Sequence, residues 1–165
     1  MEYTHVVHPF APLFDENSKV LVLGSFPSVK SREQAFFYGH PQNRYWKVIA
    51  AVLHESVPVT VEEKRALMLK HGIAMYDVIH ECDIVGSSDA SIRNAVASDL
   101  SPILRGRKLP VFTNGNTARN LYQKYIFPVT GIETTGLPST SPANAAWSVD
   151  RLIEAWSVVA DALGE

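Results

Sequence analysis

The chain has 165 residues, 46% of them apolar, and a formal net charge of −2, a size that suits a single domain over residues 1–165 around one core. No apolar run approaches the ~20 residues that span a bilayer, and the start Met1–His5 lacks the basic-then-apolar pattern of a secretion signal, so the expectation is a cytoplasmic protein with no membrane partner. The lone cysteine, Cys82, excludes an internal disulfide, a four-cysteine zinc site and an iron–sulfur cluster, so no metal or cofactor held by cysteines is expected.

Residues 1–18, with Pro9 and Pro12, read as an irregular arm. Val20–Leu23 is an unbroken apolar run, too continuous to have a wet face, and fits a strand of a parallel sheet. Arg44–Leu53 has a helical stripe of Tyr45, Val48, Ile49 and Val52. Thr60–His71 reads as a helix in which Thr60 and Glu63 have capping-box spacing and Gly72 supplies the stop. Ile73–Tyr76 and Pro110–Thr113 are two more short strands, and Asn114-Gly115-Asn116 leads from the second into a helix over Thr117–Tyr125. Glu133–Leu137 is a fourth strand, and Ala145–Leu163 reads as a long final helix with Trp147, Leu152, Trp156 and Val159 inward. Strands that alternate with helices predict a three-layer α/β/α domain around a four-stranded, mostly parallel sheet. Right-handed crossovers then bring the loops at the carboxyl ends of the strands to one side, where open α/β sheets bind ligands.

Charge is unevenly spread. Lys30 to Lys47 holds four basic residues (Lys30, Arg32, Arg44, Lys47) against Glu33 alone, and Arg105 to Lys124 holds five with no acid. A basic face would attract phosphates without a high overall pI, although solvated surface charges have the same composition.

Three polar loops leave or flank the predicted strands. In Gly24-Ser25-Phe26-Pro27-Ser28 the backbone turns sharply, and its amides with the Ser25 and Ser28 hydroxyls suit a phosphate or a base edge, or a plain strand-to-helix turn. In Tyr38–Trp46, Tyr38 offers a ring for stacking a planar base, His40 suits a structural hydrogen bond or an acid, and Asn43 sits where a helix begins. Asn43 has two readings: an N-cap, or an amide that orients a water in the cleft. In Ser139–Asn144 the serine amides and hydroxyls suit phosphates, and Ala143 is small enough to lie close to a duplex. Asp77 closes the second strand on the same side, either to cap the following turn or to accept hydrogen bonds from ring N–H groups of a base. No Gly-x-Ser-x-Gly elbow occurs, which sets aside a serine hydrolase.

Taken together, these segments resemble the uracil-DNA glycosylase superfamily over nearly the whole chain. Tyr38-Gly39-His40-Pro41-Gln42-Asn43-Arg44-Tyr45-Trp46-Lys47-Val48-Ile49 is similar to the corresponding block of the mismatch-specific uracil/thymine glycosylases. Gly24–Ser28 and Ser139–Asn144 are similar to the two active-site motifs in the form used by hypoxanthine-DNA glycosylases. The resemblance implies a monomeric, metal-free enzyme that flips a deaminated base, chiefly hypoxanthine, out of DNA and hydrolyses its glycosidic bond. It assigns Asn43 as the catalytic asparagine and Tyr38 as the stacking aromatic, and it places Asp77, with Ser25, Phe26 and Ser139, around the base. Ser28, Lys30, Arg44, Ser141, Pro142, Ala143 and Asn144 fall to the DNA strand.

Two departures matter. Members that cleave uracil fastest have an acid or asparagine at the third position of the first motif, where this chain has Phe26, and often a histidine or asparagine where this chain has Ser139. The hypoxanthine branch shares both. On that branch an Asp77 carboxylate would accept the N1–H of hypoxanthine and repel the acceptor nitrogen of adenine. The rivals are excision of mismatched uracil or thymine, and a DNA-binding module without catalysis.

Overall fold

The computed structural model describes residues 2–165. In chain order the elements are β1 (Thr4–Val7), β2 (Val20–Gly24), α1 (Val29–Gln34), α2 (Tyr45–Val52), α3 (Val61–His71), β3 (Ile73–Asp77), β4 (Ile79–Ile84), β5 (Arg93–Ala97), α4 (Ser101–Leu104), β6 (Val111–Asn114), α5 (Asn116–Leu121), α6 (Phe127–Thr130), β7 (Thr134–Leu137) and α7 (Val149–Leu163). A 3₁₀ turn covers Asp89–Ser91, and a π-helical turn, Tyr122–Ile126, joins α5 to α6.

The central sheet has the order β3-β2-β6-β7 and is parallel throughout. Every residue of β2 and β3 is buried, which is why both read as unbroken apolar runs: a parallel strand with both faces covered has no wet side. This is the α/β class that the sequence predicts, with all four strands within a residue of their expected places. The register matters for function. Gly24 lies opposite Asp77, Leu23 opposite Thr113, and Asn114 opposite Leu137, so Asp77, Gly24 and Asn114 end neighbouring strands at one level.

The helices follow their local signals. At α3 the Thr60 hydroxyl accepts from the Glu63 N–H while the Glu63 carboxylate accepts from the Thr60 N–H, and Gly72 ends the helix in the left-handed region at φ 79°. In α7 the buried residues Leu152, Trp156, Val159 and Leu163 recur every three or four positions and pack the helix against α2. The Trp156 indole N–H donates to the Pro138 carbonyl at 2.9 Å, which ties α7 to the start of the third polar loop.

Two expectations are corrected. Residues 1–18 are not an irregular arm: β1 pairs antiparallel with β4, and β4 with β5, in a second, three-stranded sheet. Beyond β1, Leu13 pairs with Met75 through two 2.9 Å backbone hydrogen bonds. The final helix begins at Val149 rather than Ala145, because Ser148 takes the N-cap position and its hydroxyl accepts from the Arg151 N–H. Trp147 therefore lies outside the helix, half-buried, with the Arg151 guanidinium 4.2 Å from its ring centre. No helix is long and apolar enough to cross a membrane among the described residues.

Candidate active site

The row of strand ends forms the floor of a cavity of about 340 Å³, large enough for one nucleoside. Gly24 is required there by space. A Cβ at this position would lie 2.5 Å from Asp77 Oδ1 and 3.1 Å from the Tyr38 hydroxyl. Asp77 is only 4% exposed. Its Oδ2 accepts from Nε2 of the buried His8 at 2.8 Å, and Oδ1 is the oxygen beside Gly24 and Tyr38. His8 is enclosed by the rings of Phe10, Phe26, Phe37 and Tyr76.

One wall is the loop ahead of α2. Tyr38 adopts φ 52°, an uncommon left-handed conformation for a residue with a bulky side chain. Its ring stacks on Tyr45 at 4.4 Å, and burial together with the charge of Asp77 raises its phenol well above the ordinary tyrosine pKa. His40 fills a structural role: Nδ1 accepts from the Gln42 N–H at 3.1 Å, and its carbonyl accepts from the Asn43 N–H.

Asn43 secures the start of α2, as the first of its two readings expects. Its Oδ1 accepts from the Tyr45 backbone N–H and from the Thr140 hydroxyl, each at 2.9 Å. A backbone N–H can only donate, so the orientation of the amide is fixed, with Oδ1 inside the helix start. Asn43 also lines the cavity together with Ser25 and Ser139. Its Nδ2 has no partner among the described residues, so the group it offers a ligand is a donor.

The facing wall is the third polar loop. Thr140 is fully buried. Its N–H donates to Asn114 Oδ1 at 3.0 Å and its hydroxyl oxygen accepts from Asn114 Nδ2 at 2.9 Å. Asn114, Thr140 and Asn43 thus form one chain of hydrogen bonds from the end of β6 to the start of α2. Ser139 and Ser141 accept the backbone N–H groups of Ser141 and Ala143, which leaves their hydroxyl protons free to donate. Pro142 and Ala143 stand exposed at the rim.

The remaining sequence candidates divide. Ser25, Phe26 and Ser28 line the cavity; the Ser25 hydroxyl donates to Asp89 Oδ1 at 2.9 Å, and Ser28 caps α1. Lys30, Arg44 and Asn144 do not line it. Lys30 is exposed and pairs with Glu33 at 3.5 Å. Asn144 Nδ2 donates to the Ser139 carbonyl at 3.0 Å. The Arg44 guanidinium is turned inward, donating to the carbonyls of Thr140, Ser141, Asn144 and Trp147, so it braces the loop rather than reaching out towards a phosphate. Arg44→Met should therefore cost about 3 kcal/mol of stability in a urea titration, since several carbonyls lose a charged donor at once. A variant of native stability with weakened DNA binding would return Arg44 to the strand.

Among the described residues, no group of three or more His, Cys, Asp or Glu side chains is placed to hold a metal ion. Burial pushes the Cys82 thiol up to about 11, away from nucleophilic use.

With this geometry in hand, comparison with known proteins is specific. A hypoxanthine DNA glycosylase of Methanosarcina acetivorans is 32% identical over 153 residues, 91% of this chain and 95% of that protein. The chain belongs to the hypoxanthine-DNA glycosylase family, within the uracil-DNA glycosylase superfamily. A second hypoxanthine DNA glycosylase, from Methanosarcina barkeri, is 30% identical over 142 residues, 82% of this chain and 86% of that one. The solution NMR structure of a Methanosarcina acetivorans protein, provisionally designated a uracil DNA glycosylase, superposes with a TM-score of 0.78 at 29% identity, covering 94% of this chain and 97% of that one. No family model matches the sequence.

Sequence reasoning singled out none of four residues that line or brace this cavity: Asp89, Asn114 and Thr140 on its surface, and His8 behind Asp77. A signal existed for Asn114, a polar residue that closes an apolar strand, as Asp77 does. None existed for His8 or Asp89, which reach the site from the second sheet and its connections.

Proposed function

We propose that this protein excises deaminated bases from DNA, chiefly hypoxanthine, by hydrolysis of the N-glycosidic bond, and that Asn43 is its catalytic residue. The observation that supports this most is a cavity sized for one nucleoside, with a buried carboxylate oxygen at its floor and an amide N–H₂ on its wall. Membership of a family whose relatives are named for hypoxanthine gives the base.

On this reading the base enters first, and its N1–H donates to Asp77 Oδ1. The Tyr38 ring and Phe37 bound it on the side, and Ser139 and Ser141 hold the flanking backbone. Flipping costs a few kcal/mol, and less for a poorly paired base. As the C1′–N9 bond breaks, positive charge develops on the sugar, as in other glycosidic cleavages. Asn43 Nδ2 donates to the water that adds, so its contribution is placement. The protein acts as one domain over residues 1–165, as a monomer on DNA, and in the cytoplasm.

The test is incubation of the wild-type protein with duplexes that carry deoxyinosine, deoxyuridine or deoxyxanthosine, followed by cleavage at abasic sites. Deoxyinosine should give the fastest product. Faster product from mismatched uracil would support the mismatch-specific reading, and DNA binding without abasic product would support the non-catalytic one.

A further inference from the structure

The reaction needs a proton acceptor that Asn43 does not provide, because both bonds to its Oδ1 are already made. His40 is turned the same way: Nδ1 accepts from Gln42, which leaves Nε2 as a donor. The hydroxyl oxygens of Ser28, Ser139 and Ser141 each accept a backbone N–H. Two carboxylates remain on the cavity surface, Asp77 and Asp89.

They lie at different depths. Asp77 is buried at the floor, bonded to His8 and beside the position of the base. Asp89 belongs to the exposed turn that edges the cavity, and its side chain is among those that line it. A nucleotide that enters base first brings its deoxyribose to that level. Asp89 arrives on the 3₁₀ turn between β4 and β5, and that turn is pinned. Arg32 donates to the Gly86 carbonyl at 2.6 Å, the Val29 N–H donates to the Ser87 hydroxyl at 2.9 Å, and the Val85 N–H donates to the Ser91 hydroxyl at 2.8 Å. Asp89 Oδ1 accepts from Ser25, while Oδ2 has no partner among the described residues.

We propose that Asp89 is a second catalytic residue, whose carboxylate stabilises the charge at C1′ and takes the proton of the attacking water. The inference rests on the glycosylase reading of the cavity. In the step, the electron pair of the C1′–N9 bond leaves with hypoxanthine and the water oxygen bonds to C1′. One water proton passes to Asp89 and from there to solvent, and the departing base takes a proton from solvent. One water is consumed in all. Loss of solvent on the cavity side and the nearby Asp77 charge raise the Asp89 carboxyl pKa, which makes it a better proton acceptor.

Asp89→Asn separates charge from shape, because the amide oxygen still accepts from Ser25. Single-turnover release of hypoxanthine should slow ~100-fold, the scale of a general base, with affinity for DNA carrying a non-cleavable deoxyinosine analogue equal or tighter. Asp83→Asn makes the same charge change outside the cavity, on β4, and should keep the wild-type rate. Sodium formate should restore Asp89→Ala by about tenfold or more. An Asp89→Asn rate within about threefold of wild type would overturn the proposal, and so would a slow Asp89→Ala that formate does not restore. If the wild type itself releases no hypoxanthine, the glycosylase reading falls and takes this role with it; a competent wild type beside an unimpaired Asp89→Asn removes this role alone.

Discussion

Asn43→Ala should abolish base release from deoxyinosine DNA, with a loss of ~100-fold or more, the cost of misplacing a reacting water. It should also lower stability by ~1 kcal/mol, because Asn43 Oδ1 satisfies the Tyr45 N–H at the start of α2 as a capping group does. Alanine alone therefore mixes two effects. Asn43→Ser resolves them: a serine hydroxyl accepts the same N–H and keeps the helix start, but has no amide N–H₂ to hold a water. It should melt close to wild type and be as slow as the alanine variant, while both still bind deoxyinosine DNA in a gel-shift titration. A serine variant with near-wild-type turnover would reduce Asn43 to a cap.

The parallel sheet was legible because burial on both faces leaves a plain mark, an unbroken run such as Val20–Leu23. The second sheet left no such mark. Its strands are half-exposed, β4 alternates irregularly between buried and partly exposed positions, and its pairing with β5 shifts register near Glu81. Only Val78 separates β3 from β4, so a local reading sees one strand end and not a change of sheet. The lining of the cavity was legible where a polar residue sits in a loop that leaves a strand, as Ser25 and Ser139 do, or just ahead of a helix, as Asn43 does. It misled at Arg44, because a basic residue in a polar segment reads as a phosphate contact until the carbonyls of a loop about 100 positions away fold around it. Asp89 was hidden because Gly86-Ser87-Ser88 before it reads as an ordinary turn.

Asp77→Asn should change which bases are accepted. The present floor is an acceptor: Oδ2 holds His8, and Oδ1 lies beside Gly24 at the floor of the cavity, where the proposed function seats the base. His8 Nδ1 lies 3.5 Å from the Phe10 N–H, which leaves Nε2 as the donor towards position 77. An asparagine must then turn its carbonyl to His8 and present N–H₂ to the cavity. Hypoxanthine would meet that donor with its own N1–H, and leaving this buried pair unsatisfied costs ~1–3 kcal/mol, or roughly 5- to 150-fold in rate. Adenine, with an acceptor at N1, would meet a donor in place of the carboxylate oxygen that repels it on this reading. Single-turnover rates on deoxyinosine and on undamaged adenine, measured side by side, should therefore converge. The fold should persist, because the His8 hydrogen bond survives. An unchanged ratio in a stable variant would remove Asp77 from base recognition and leave it as the buried anchor of the β1 arm.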